Sequence, residues 1–210
     1  MAEPDADTTD WRELVAVVLL SVTAILTAWS GFQASKWGGA MSISFSQASS
    51  ARIEASRLEG VANRKMTIQV SLFTQWLQAY QAKDAELTRF LEARFPEPLA
   101  TTFPIWTRSK PLQNPDAAPT PFELPEYSIP ELAQAQQADA RADEMFATAL
   151  RNNQRGDNYT ILTVAFATVL FFTALSSRMR RRRYQLALLA LAGLGFAVSA
   201  GFLFSFPILI

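Results

Sequence analysis

Three stretches of the chain, 14–32, 159–176 and 186–210, contain no charged residue. That feature constrains the fold more than any other. A helix of about 20 residues rises roughly 30 Å, the thickness of a bilayer's hydrocarbon core. Hydrocarbon offers backbone N–H and C=O groups no water, so a spanning segment pairs them internally as a helix. The sequence therefore predicts an all-α membrane protein with three transmembrane helices, at 14–32, 158–177 and 185–210. The flank before the first block, EPDADTTDWRE, is acidic. A cleavable signal begins with basic residues, so the first block is expected to remain as an anchor.

Between the second and third blocks stand Arg178, Arg180, Arg181, Arg182 and Arg183. Short loops rich in arginine stay on the cytoplasmic side. This orients the whole chain. An acidic tail, 1–13, and the arginine loop, 178–184, lie inside, and residues 33–157 lie outside. In a bacterium that means the inner (cytoplasmic) membrane with a periplasmic domain. The arginines set topology first, and anionic membrane lipids are natural partners for them.

The outer segment reads as helix from 33 to 95. Met41, Phe45, Ala48, Ala51, Ala55, Leu58, Ala62, Met66, Phe73, Trp76 and Tyr80 recur at helical spacing and form one stripe. Gly38–Gly39 is a candidate hinge. Asp84 has the position of an N-cap that restarts a short helix. The stretch 96–130 holds nine of the eleven prolines, and it reads as an extended, turn-rich loop. Ser128 and Glu131 have the spacing of a capping box. The helix they open carries a second stripe: Ala135, Ala138, Ala142, Phe146 and Ala149. Two alanine-rich stripes predict a long antiparallel helical hairpin of coiled-coil character, capped by the proline-rich loop. The first arm is the longer, so Phe73, Trp76, Leu77 and Tyr80 need a cover. The loop or a second chain can supply it, which makes these four an interaction surface. On the third span, Gly193, Ala197 and Gly201 form a ladder suited to tight helix packing. Trp29 and Trp37 are placed to anchor the outer interface.

The chemistry of the side chains narrows function. With no cysteine and no histidine, thiol nucleophiles, histidine bases and Cys/His zinc sites are excluded. The acidic residues Glu54, Glu59, Asp84, Glu86, Asp139, Asp143 and Glu144 stand near Arg52, Arg57, Lys83 and Arg141 at surface ion-pair spacing. No phosphate-binding glycine loop or hydrolase motif is present. Basic and acidic residues balance at 19 each, so nucleic acid is not an expected partner. The spans hold hydroxyls but no ionisable group, unlike most ion pathways. No catalytic residue, metal site or cofactor is predicted.

The segments TAWSGFQASKW, LFTQWLQAY, NPDAAPTPFELPEY and NNQRGDNY, followed by two C-terminal spans, resemble a group of uncharacterised bacterial inner-membrane proteins. The resemblance covers residues 27–177. It implies a bacterial origin and an unprocessed topology, and it carries over no functional residue. The expected function is non-enzymatic. The protein would be an assembly or scaffold module, or an accessory subunit of an envelope complex, acting through its periplasmic hairpin as a homo-oligomer or with a membrane-protein partner. Alternatives are a sensor-like input module that signals through a partner, and a channel or transporter component.

Overall fold

The structure is a computed structural model that describes residues 11–111 and 113–210. Among the described residues it is all-helical, with five α-helices and one 3₁₀ turn. The helices are α1 (Trp11–Gln81), α2 (Ala85–Glu92), α3 (Leu99–Arg108), α4 (Pro130–Ser176) and α5 (Arg182–Ser205), and the turn is Pro121–Glu123. Three of them, α1, α4 and α5, are long and apolar enough to cross a membrane. The chain divides into two compact units. One holds 11–46 and 145–210, the other 47–144.

The first unit packs the apolar parts of α1, α4 and α5. Its centre is Trp37, Tyr159, Leu162, Phe166 and Leu203. Many hydroxyls within the helices bond back one turn, as Thr23 does to the Leu19 carbonyl (2.6 Å) and Thr173 to that of Val169 (2.8 Å). This satisfies them without water. At one end, the Arg12 Nη1 donates to Gln185 Oε1 on α5 (3.1 Å). At the other, Gln33 is fully buried. Its Nε2 donates to the Leu209 carbonyl (3.1 Å) and its Oε1 accepts from the Leu209 N–H (3.0 Å). The Tyr159 hydroxyl donates to the Pro207 carbonyl (3.2 Å).

Several expectations change here. The third span does not stay helical to residue 210. It ends at Ser205, and Phe206 is extended at φ −85°, ψ 144°. Proline disfavours helix in the residue before it, and Pro207 enforces that stop. Gly38–Gly39 makes no hinge: α1 runs through it unbroken. A mid-helix glycine costs only about 1 kcal/mol, less than breaking the helix beside the buried Trp37. α1 and α4 each run as one helix past the membrane boundaries drawn at 32 and 157, which are limits of the bilayer and not of a helix.

In the second unit, Ala48, Ala55 and Ala62 on α1 are buried, as are Ala135, Ala138 and Ala142 on α4. Steps of seven residues, 48 to 55 to 62 and 135 to 142, keep each set on one face of its helix. Arg52 pairs with Asp139 and Asp143, and Lys65 pairs with Glu131. The partners run in opposite order along the two helices, so the register is antiparallel. Asp84 caps α2 as expected, its Oδ1 accepting from the Leu87 N–H (2.9 Å). The stretch 96–130 departs from expectation, because it contains the ten-residue helix α3 with Pro104 inside it. Leu99, Phe103 and Trp106 lie on one face and are buried. That burial outweighs the one backbone bond Pro104 forgoes.

Candidate functional site

The second unit is organised by one buried glutamine. Gln69 lies on the inner face of α1 and is 1% exposed. Its Nε2 donates to the Glu97 carbonyl (3.1 Å), and its Oε1 accepts from the Leu99 N–H (3.2 Å) and the Tyr127 hydroxyl (3.1 Å). One side chain thus fixes the start of α3 and the segment that precedes α4. Burial pushes the Tyr127 hydroxyl pKa up from its ordinary value.

Beyond Gln69, Phe73 and Trp76 enter a core with Leu91, Phe95, Leu99, Phe103 and Trp106, and Phe122 and Leu124 pack on it. The rings meet mainly edge to face. Trp76 and Phe103 are 4.7 Å apart between centroids, and Phe73 and Trp106 are 5.2 Å apart. Such pairs add about 0.5–1.5 kcal/mol each beyond their burial. The indole N–H groups are also satisfied. That of Trp76 donates to Glu92 Oε1 (2.8 Å) and that of Trp106 to the Ala118 carbonyl (2.8 Å). Next to this core lies a half-open cavity of about 490 Å³, walled by Trp76, Tyr80, Phe103, Trp106, Glu92 and Lys110 among others.

The four residues expected to form an interaction surface therefore separate. Phe73 and Trp76 are inside the core, whereas Leu77 and Tyr80 stay 39% and 48% exposed. Val70 and Met66, one and two turns before Phe73, are each 40% exposed. The spacing of Met66, Val70, Phe73, Leu77 and Tyr80 alternates four and three, which is a heptad pattern on one flank of α1.

In the first unit, Arg178, Arg180, Arg181, Arg182 and Arg183 are all exposed. The Gly193–Ala197–Gly201 ladder does not pack within the chain. A Cβ added at Gly193 or Gly201 would meet nothing within 4 Å, and Ala197 is exposed. The inward face of α5 is the neighbouring one, Leu189, Ala192, Ser199 and Leu203. The closest glycine approach is Gly195, where a Cβ would lie 3.3 Å from Val169 Cγ2. Trp37, expected as an interfacial anchor, is instead buried with the Arg155 guanidinium over its ring at 4.6 Å. Trp29 is 38% exposed.

Sequence reading missed Gln69 and Gln33. Gln69 did carry a signal, since it falls seven residues after Ala62 and four before Phe73, steps that keep it on the buried stripe. A polar residue there must find partners. No family model matches the chain, nor does any curated protein or solved structure.

Proposed function

We propose that the chain is a three-span membrane protein whose outer, hairpin-like unit is a non-enzymatic assembly module. In this reading the N-terminus and the arginine loop face the cytoplasm and 33–157 lies outside. The Arg12–Gln185 hydrogen bond supports that orientation, because it sets the start of α1 beside the arginine-rich start of α5. Gln33 and Leu209 then belong to the outer end.

The observation that carries the assembly reading is the half-exposed heptad Met66, Val70, Leu77 and Tyr80 beside the buried Phe73. A heptad of large apolar residues is what one helix offers another, and α4 does not bury it. The partner favoured is a second copy of this chain. The absence of cysteine makes the test clean. Leu77→Cys, oxidised in native membranes, is expected to give a disulfide-linked species of twice 23.3 kDa. Gln78→Cys, one residue round the helix, is expected to stay monomeric. Equal linkage at both positions, or at neither, would sink this reading.

A second reading, a sensor-like input module, rests on the cavity beside Trp76 and Phe103. Its volume suits a small ligand. A ligand-dependent rise in the melting temperature of the full chain would favour it over assembly alone.

A further inference from the structure

We infer that the groove between the N-terminal part of α1 and α5 seats one acyl chain of an anionic phospholipid, with its headgroup held by Arg181 and Arg182. The inference rests on the membrane reading above. The groove is a concavity of about 380 Å³ lined by Leu14, Val15, Val18, Leu19, Val22 and Phe196. Every lining side chain is apolar, so it offers a ligand nothing but hydrocarbon contact. From Leu14 to Val22 it runs about 12 Å along the helix, close to the roughly 15 Å depth of one leaflet.

What identifies the occupant is the charge at one end of this groove. The Arg12 side chain, two residues before Leu14, reaches across to Gln185 and sets the start of α5 beside that end. Arg182 lies three residues before Gln185, on the same face of α5, and Arg181 is the residue that precedes the helix. Both are exposed. Among the described residues, neither has a side-chain hydrogen bond or an ion pair. The one carboxylate among residues 11–22 and 177–190 is Glu13. Guanidiniums without a partner among the described residues, at the mouth of an acyl-sized groove, match a lipid with a net negative headgroup. They do not select one whose charges cancel. A second apolar concavity follows along α1, lined by residues that include Ile25, Leu26, Trp29 and Leu203. It has no cation in its lining, and the inference does not extend to it.

The test uses the full chain in mild detergent, with equal amounts of phosphatidylglycerol and phosphatidylethanolamine added, read by native mass spectrometry. A one-lipid adduct that favours phosphatidylglycerol is expected, with the preference falling about fivefold for each arginine replaced in Arg181→Gln and Arg182→Gln. Val18→Trp, which fills the groove, is expected to remove the adduct while helix content stays unchanged. Equal adducts of the two lipids in the unmodified chain would overturn the inference. An adduct that survives Val18→Trp, or one that millimolar inorganic phosphate displaces, would also overturn it, since either means headgroup attraction without a seated chain. Flotation with vesicles of the same lipids separates this from the underlying reading. Protein that floats yet shows no lipid preference refutes only the lipid site, whereas protein that fails to float refutes the membrane assignment itself.

Discussion

Replacing Gln69 with leucine should loosen the second unit at α3 specifically. The side chain is 1% exposed and makes three hydrogen bonds. Leucine leaves the N–H of Leu99, a residue with no exposed surface, without an acceptor. A stranded buried donor costs about 1–3 kcal/mol. The lost bonds with Glu97 and Tyr127 add about 0.5–1.5 kcal/mol each. Leucine's extra apolar burial returns about 1 kcal/mol, so the net loss is about 3 kcal/mol. At 1.4 kcal/mol per factor of ten, amide protection across 99–106 should fall roughly a hundredfold. Hydrogen exchange read by mass spectrometry on the full chain in detergent measures it. Gln78→Leu, on the exposed face of the same helix, should change protection by less than about 0.5 kcal/mol. If Gln69→Leu left 99–106 as protected as the native chain, the glutamine would not be what holds α3.

The Glu131 carboxyl is held below the ordinary glutamate value of 4.5, chiefly by the hydrogen bond from Lys65 and then by its own backbone N–H. A depressed carboxyl stabilises the fold above its unfolded pKa and loses that contribution as pH falls through the folded one. Exchange at the start of α4 should therefore quicken below pH 4.5, and Lys65→Met should flatten that dependence. At Gly156 an added Cβ would sit 3.5 Å from the Ala34 carbonyl and 3.6 Å from Trp37 Cβ. Thermal melts should thus show Gly156→Ala neutral or stabilised, through a helix-propensity gain of about 1 kcal/mol. Gly156→Leu should be destabilised by about 1–3 kcal/mol. Gln33→Leu should free the Leu209 amide to exchange while α5 up to Ser205 keeps its protection.

Features carried by local periodicity were readable in the sequence. The charge-free blocks, the alanine steps at 48, 55 and 62, and the Asp84 cap each depend on a few neighbouring residues. What escaped was decided by distant partners. The helix at 99–108 looked forbidden because proline weighs heavily in a local reading. Leu99, Phe103 and Trp106 nevertheless stand at helical spacing, and the core they meet comes from Phe73 and Trp76. The Gly193 ladder is a different case, since small residues mark a surface able to pack closely without naming what packs there, and within the chain that surface stays open. The inward stripe of α5 is one residue away. Gln69 and Gln33 are single polar residues, and their three and two hydrogen bonds reach partners 28 to 176 residues distant in sequence.

The separation between Phe73 or Trp76 and the rings that cover them also sets a timetable. Chains are made from the N-terminus at about 5–20 residues per second. Phe103 and Trp106 follow Phe73 and Trp76 by about 30 residues, so the first pair of rings waits roughly 2–6 seconds for its cover during synthesis. Tyr127, the last of the groups that hold Gln69, comes later still. For that interval α1 presents a bare aromatic patch to its surroundings. A cell that makes this protein must shield the patch or insert the chain fast enough to outrun its aggregation.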